Sequence, residues 1–237
     1  MKLSADIGNT LVKIGLFKGN ELVKNLSYSS ISQKIILELL KEYSEISHAI
    51  ISDVTGGRTK FLRAFRKIPH LIYLDAKTKL PFMNKYGTPA TLGTDRLSLV
   101  AGALKFFTGK NVLVISAGTC ITYDFINSKK EYSGGSISPG MRMRLAALNH
   151  FTARLPLVNP KSMRKISGST TADSILTGVV NGMTYEMDGF VNEYKMKYKN
   201  INVILTGGDT FFFASRLKSS IFAAPELTLV GLNEILK

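Results

Sequence analysis

Apolar and polar positions along the chain fall into a pattern that occurs twice. Leu3–Thr10 (LSADIGNT) is an apolar run ending in an acid and a glycine turn, and Leu11–Phe17 (LVKIGLF) is apolar again. The turn is therefore predicted to join two strands. Val112–Phe125 (VLVISAGTCITYDF) has the same grammar, with Gly118 in the place of Gly8 and Ser116 in the place of Asp6. Self-similarity of this kind points to a duplicated fold. A hairpin turn at Lys18-Gly19-Asn20 joins strands Val12–Phe17 and Glu21–Tyr28, and further strands are predicted at His48–Val54 and Leu71–Leu74. Ser32–Tyr43 has helical spacing with Ser32 as cap, and Gly57–Ile68 reads as a basic amphipathic helix.

After an irregular stretch with Pro81, Gly87 and Pro89, a helix is predicted with Thr94 as N-cap and Asp95 in its first turn, where the helix dipole favours a carboxylate. The second half reads as a hairpin (Thr122–Asn127 with Glu131–Ser138), a glycine-rich turn into helix Met141–Leu148, and a long helix Thr170–Tyr198. Gly178, Gly182 and Gly189 on that helix favour close packing against a neighbour, a twin subunit included. Strand Asn202–Leu205 leads into a Gly-Gly turn at Thr206–Asp209, and a short strand Leu227–Val230 and a helical turn Leu232–Leu236 close the chain. This order predicts an α/β protein with mixed sheets flanked by helices.

Composition narrows the class. With 237 residues, 45% of them hydrophobic, there is material for one large domain or two ordinary ones. One cysteine, Cys120, forbids an internal disulfide and a cysteine metal cluster, which favours a cytoplasmic setting; Cys120 itself reads as a packing residue. No signal core or membrane-length apolar run is present. The balance of 31 Lys+Arg against 17 Asp+Glu gives +14. These basic residues are spread along the chain without a nucleic-acid-binding signature, so a solvated basic surface serving anionic small molecules is the favoured reading, against nucleic acid.

Candidate chemistry sits at the turns. The Gly8 turn lets a phosphate approach backbone N–H groups, with Thr10 and Lys13 adding a donor and a charge, while Asp6 suits a metal or metal-bound water. Asp95 and Arg96 at a helix mouth suit a general base beside an anion clamp. A strand–Gly-Gly–helix turn at Thr206–Asp209 often passes under a nucleotide. His48, His70 and His150 share no spacing and read as ordinary surface or core residues; Phe211–Phe213 reads as core or interface.

The chain resembles the type III pantothenate kinases of the actin-like ATPase and sugar kinase superfamily. The match runs over nearly the whole chain in order: DIGNT at Asp6–Thr10, YGTPATLGTDR at Tyr86–Arg96, AGTCITYD at Ala117–Asp124, GGSISPG at Gly134–Gly140, TGVVNG at Thr177–Gly182 and LTGGD at Leu205–Asp209. The resemblance implies two ribonuclease-H-like domains, taken as 1–109 and 110–237, with a nucleotide cleft between them. It implies transfer of the ATP γ-phosphoryl group to the terminal hydroxyl of pantothenate, the first step of coenzyme A synthesis, by a cytoplasmic homodimer using Mg²⁺ and K⁺ or NH₄⁺.

By position it implies that Asp6, Ile7, Gly8, Asn9, Thr10, Leu11, Val12, Lys13 and Thr119 bind ATP. Asp95 is the catalytic base, and Tyr86, Gly93, Thr94, Asp95, Arg96 and Thr171 bind pantothenate. One position departs. Ser116 stands where the family usually has the Asp expected to hold the monovalent cation, so an oxygen is kept and the negative charge is lost. A degenerate relative that binds nucleotide or anionic partners as a regulator is the alternative expectation.

Overall fold

The computed structural model describes residues 1–55 and 62–237. In chain order the elements are β1 (Lys2–Ile7), β2 (Val12–Lys18), β3 (Glu21–Tyr28), α1 (Gln33–Glu42), β4 (His48–Asp53), α2 (Leu62–Phe65), β5 (His70–Tyr73), β6 (Met83–Asn84), α3 (Thr94–Phe106), β7 (Asn111–Ala117), β8 (Cys120–Ile126), β9 (Glu131–Pro139), α4 (Met141–His150), α5 (Thr171–Lys197), β10 (Ile201–Thr206), α6 (Thr210–Ala214), β11 (Phe222–Ala223) and α7 (Leu227–Ile235). Only part of the helix expected over Gly57–Ile68 is described, as α2; residues 56–61 lie outside the described residues.

Contacts divide the chain into two units. One comprises Met1–Gly109, Ser128–Ser133 and Glu226–Lys237; the other comprises Lys110–Asn127 and Gly134–Pro225. Residues 128–133 and 226–237 group by contacts with the first unit.

In the first unit the sheet order is β3-β2-β1-β4-β5, with β1 antiparallel to β2 and parallel to β4. Alternation along the strands sorts the two faces. Leu3, Ala5, Ile7, Ile14 and Ile51 bury against Ile36 and Leu39 of α1 and Phe65 of α2. Ser4, Asp6 and Ser52 therefore lie on the opposite face, which α3 and α7 cover. The strand expected at Leu227–Val230 is instead the start of α7. A short apolar run does not distinguish strand from helix by pattern. Here packing decides: Leu227, Leu229 and Leu232 are buried, contributing about 1.5–3 kcal/mol each. A Cβ on Gly231 would overlap the Ser98 carbonyl, so only glycine lets α7 and α3 approach this closely.

At the sheet's other end, parallel pairing puts His48 of β4 opposite His70 of β5, and their rings stack at 4.5 Å. Sequence spacing cannot reveal such a pair, because its register is set by two strands far apart in the chain. Burial, then the charges of His70, Lys2 and the N-terminal amine, hold the His48 pKa below its ordinary value. The folded state thus takes up protons less readily than the unfolded chain, and stability declines as pH falls below about 6.5. His70→Gln removes one of the facing charges. Its melting temperature is expected to drop less than that of the wild type between about pH 8 and pH 5; an equal drop in thermal scans would remove the pair from the account.

In the second unit β7 is antiparallel to β8 and parallel to β10, and β10 is parallel to β11. Leu113, Ile115, Ile121, Tyr123, Val203 and Leu205 pack on α4 and α5. Ser116, Thr122 and Thr206 share the opposite face. The β1–β2–β4 arrangement is thus repeated in β7–β8–β10. Asp6 pairs with Lys13 and Ser52, and Ser116 pairs with Thr122 and Thr206. On α5, a Cβ at Gly178, Gly182 or Gly189 meets nothing within 4 Å. Close packing among the described residues does not account for these glycines.

Candidate active site

The site of the first unit is built from three adjacent strands and one helix mouth. Register sets Lys13, Asp6 and Ser52 side by side on one face, across β2, β1 and β4. Asp6 is the last residue on this face before the turn. Gly8 opens that turn, and its amide donates to the Leu11 carbonyl at 3.1 Å, so this N–H is spent inside the hairpin. Ile7 and Val12 are buried in the core, which leaves only their backbone to face a ligand, while Asn9, Thr10 and Leu11 are exposed.

Asp6 carries the strongest electrostatic signature here. Burial, then the charge of Asp95, pushes its carboxyl up to about 6, against the lowering effects of Lys13 and of the neighbouring Ser52 side chain. Its Oδ1 is shielded from solvent and accepts no hydrogen bond among the described residues. A buried carboxylate oxygen left open is costly unless something fills it.

Asp95 lies in the first turn of α3. The N-cap is Gly93 rather than the expected Thr94, and it caps without a side chain. The hydroxyl of Thr94 is instead 2.9 Å from the Ser52 Oγ. Tertiary contact has taken the hydroxyl that local pattern assigned to the cap. A Cβ at position 93 would overlap Asp95 Oδ1, so glycine lets that carboxylate keep its place. That oxygen accepts the Arg96 amide at 2.9 Å, so the helix's positive end supports the charge on Asp95.

Arg96 is buried, and its guanidinium lies 5.7 Å from the centroid of the Tyr86 ring. Tyr86 in turn stacks on Tyr132 at 6.4 Å. Its segment is held by hydrogen bonds from the Met83 amide to Lys130 O and from the Lys85 amide to Tyr132 O, both 2.8 Å. Thirteen of the expected site residues, Asp6–Lys13, Tyr86 and Gly93–Arg96, thus belong to this one unit. Ser52 and Tyr132 were not anticipated. Ser52 was legible only as a polar residue inside an apolar strand, and Tyr132 gave no signal.

Ser116, Thr119 and Thr171 belong to the second unit. Ser116 ends β7 on the face it shares with Thr122, whose buried Oγ1 accepts and donates no hydrogen bond among the described residues. Thr119 is exposed in the β7–β8 turn, and around it the Gly140 amide donates to Thr119 O at 3.1 Å and the Asp209 amide to Ala117 O at 3.0 Å. Three small-residue turns therefore meet there. Thr171 is exposed at the start of α5, where Thr170 caps the helix by accepting the Asp173 amide. It lines a groove of about 730 Å³ with Arg144, Leu148, Phe151, Leu155 and Gly178. Arg144 is tied to Glu186, which also accepts the Tyr123 hydroxyl at 2.8 Å.

The sequence profile of the type III pantothenate kinases matches residues 2–193. The chain belongs to the type III pantothenate kinase family. A type III pantothenate kinase from Christiangramia forsetii is 43% identical over 241 residues, covering 100% of this chain and 98% of its own length. Among solved structures, a Campylobacter jejuni protein classed with the Baf family of transcriptional activators aligns with TM-score 0.61 at 20% identity, covering 98% of this chain and 96% of its own. A glucokinase from an Antarctic psychrotroph aligns with TM-score 0.53 at 13% identity, covering 99% and 98%. Likeness at such identity shows the fold alone, which is the actin-like ATPase and sugar kinase fold that the resemblance to the type III pantothenate kinases implies. The type III pantothenate kinase match leaves the regulator alternative without support. No described helix is long and apolar enough to cross a membrane.

Proposed function

We propose that the chain transfers the γ-phosphoryl group of ATP to the terminal hydroxyl of pantothenate, forming 4'-phosphopantothenate for coenzyme A synthesis in the cytoplasm. The observation that carries this reading is the Asp95–Arg96 pair at the mouth of α3, beside Asp6 and Lys13. Asp95 takes the proton of the attacking hydroxyl as its oxygen bonds to the γ-phosphorus, and the bond to the bridging oxygen breaks to release ADP. Arg96, steadied on Tyr86, pairs with the pantothenate carboxylate, and Gly93 and Thr94 bring their backbone against the acceptor. The Asp6–Lys13 hairpin and Thr119 hold ATP, its phosphates lying along the hairpin. Positioning and charge compensation supply most of the rate, because phosphoryl transfer needs little covalent help.

The donor set fits Mg²⁺. Asp6 offers the open, buried Oδ1, and among the described residues no three His, Cys, Asp or Glu form a metal cage. An ion held by one carboxylate and substrate phosphates matches this ion's habit. When bound it neutralises charge on the transferring phosphates. For K⁺ or NH₄⁺, Ser116 and the open hydroxyl of Thr122 offer oxygens without a charge, so the site is weak. Thr171 contacts pantothenate in the assembled homodimer; the apolar groove around it and the unpacked glycines of α5 support a partner there.

ADP release from ATP and Mg²⁺ is expected to require pantothenate, with a shallow response to potassium. Ser116→Asp is expected to steepen that response. ADP release indifferent to pantothenate would end the kinase reading, and an unchanged potassium curve in the variant would remove Ser116 from the cation site.

A further inference from the structure

Ser52 stands beside Asp6 and reaches the mouth of α3, and neither sequence pattern nor family likeness assigned it a role. It is fully buried at the end of β4, in register with Asp6. Its hydroxyl lies 2.9 Å from Thr94 Oγ1, a hydrogen bond that ties β4 to the first residue of α3. Asp6 stands directly beside Ser52 on the neighbouring strand, so the tie sits next to that carboxylate.

We propose that Ser52 is a positioning residue that, through Thr94, fixes the mouth of α3 against β4, beside Asp6, and so sets where the Asp95 carboxylate stands relative to Asp6. The physical need for it is repulsion. Asp6 and Asp95 carry like charge in a partly buried site, and α3 begins with a glycine cap that provides no side-chain anchor. The Thr94 hydroxyl ties that first turn to β4. In-line transfer is sensitive to small displacements of the base, so the tie acts on the chemical step more than on binding. Thr94 contributes its backbone to the acceptor while its hydroxyl is engaged with Ser52.

The test is a double-mutant cycle on the intact protein. Ser52→Ala and Thr94→Val each remove one hydroxyl and keep most of the volume; Thr94→Ser keeps the hydroxyl. Each loss variant is expected to lower kcat about tenfold to a hundredfold with KM for ATP and pantothenate within about twofold. The double variant is expected to be no slower than the slower single, because both act through one hydrogen bond. Thr94→Ser is expected to lose much less kcat than Thr94→Val, which a merely space-filling role for Thr94 would not predict. Additive losses, losses confined to KM, or unchanged kcat in Ser52→Ala would overturn the proposal. It rests on the kinase reading: wild-type protein without pantothenate-dependent turnover would take both down, whereas active wild type with indifferent variants would remove this one alone.

Discussion

Asp95→Asn is expected to lower kcat about a thousandfold while leaving KM for pantothenate within a few-fold of wild type. The substitution keeps size and shape, and its amide oxygen still accepts the Arg96 N–H that Asp95 Oδ1 accepts now at 2.9 Å. What it removes is the basic lone pair that receives the proton of the attacking hydroxyl. Positioning and charge compensation by the rest of the site remain, so activity falls without vanishing. Stability moves little: loss of the helix-dipole interaction costs roughly 0.3–1 kcal/mol, offset by relief of the repulsion with Asp6. Steady-state ADP release at saturating ATP measures the effect. Retention of more than a tenth of wild-type kcat would show that Asp95 orients the acceptor without taking its proton.

The Asp95 box was legible because a carboxylate, an arginine and a helix start are adjacent in sequence. The same holds for β1 and β2, whose tight turn leaves a local record, and for the repeat of that hairpin in β7 and β8. The Ser32 cap was readable for the same reason, and its hydroxyl does lie 3.4 Å from the Ile35 amide. Legibility failed where distant segments decide. Thr94 looks like a cap until β4 brings Ser52 within reach. Leu227–Val230 looks like a strand until the face formed by Ser98 and Gly102 receives it as a helix. The histidine stack and the Tyr86–Tyr132 pair depend on register between strands far apart in the chain. Local pattern records turns, caps and amphipathic faces; it does not record which segments meet.

Asp6→Asn is expected to produce a protein that is more stable and inactive. The carboxyl of Asp6 titrates near 6 in the folded protein against 3.8 for the unreacted group, chiefly because it is buried. A raised carboxyl pKa means the folded state holds a proton over a range where the unfolded chain has released it. Stability therefore falls as pH rises from about 4 through about 6, and the full penalty is present above that. A shift of about two units corresponds to at most about 3 kcal/mol. Asparagine cannot ionise, so at about pH 8 the variant is expected to melt several degrees higher than wild type, and at about pH 4 the two should nearly coincide. The same change removes the charge that Mg²⁺ and the ATP phosphates would meet at Oδ1, so Mg²⁺·ATP is expected to raise the melting temperature of wild type far more than that of the variant. A variant less stable than wild type at pH 8 would mean that Asp6 is already compensated within the chain. A variant as active as wild type would mean that its open oxygen has no part in holding the nucleotide. The combination expected here, a gain in stability with loss of turnover, is what a carboxylate kept unsatisfied for a substrate produces.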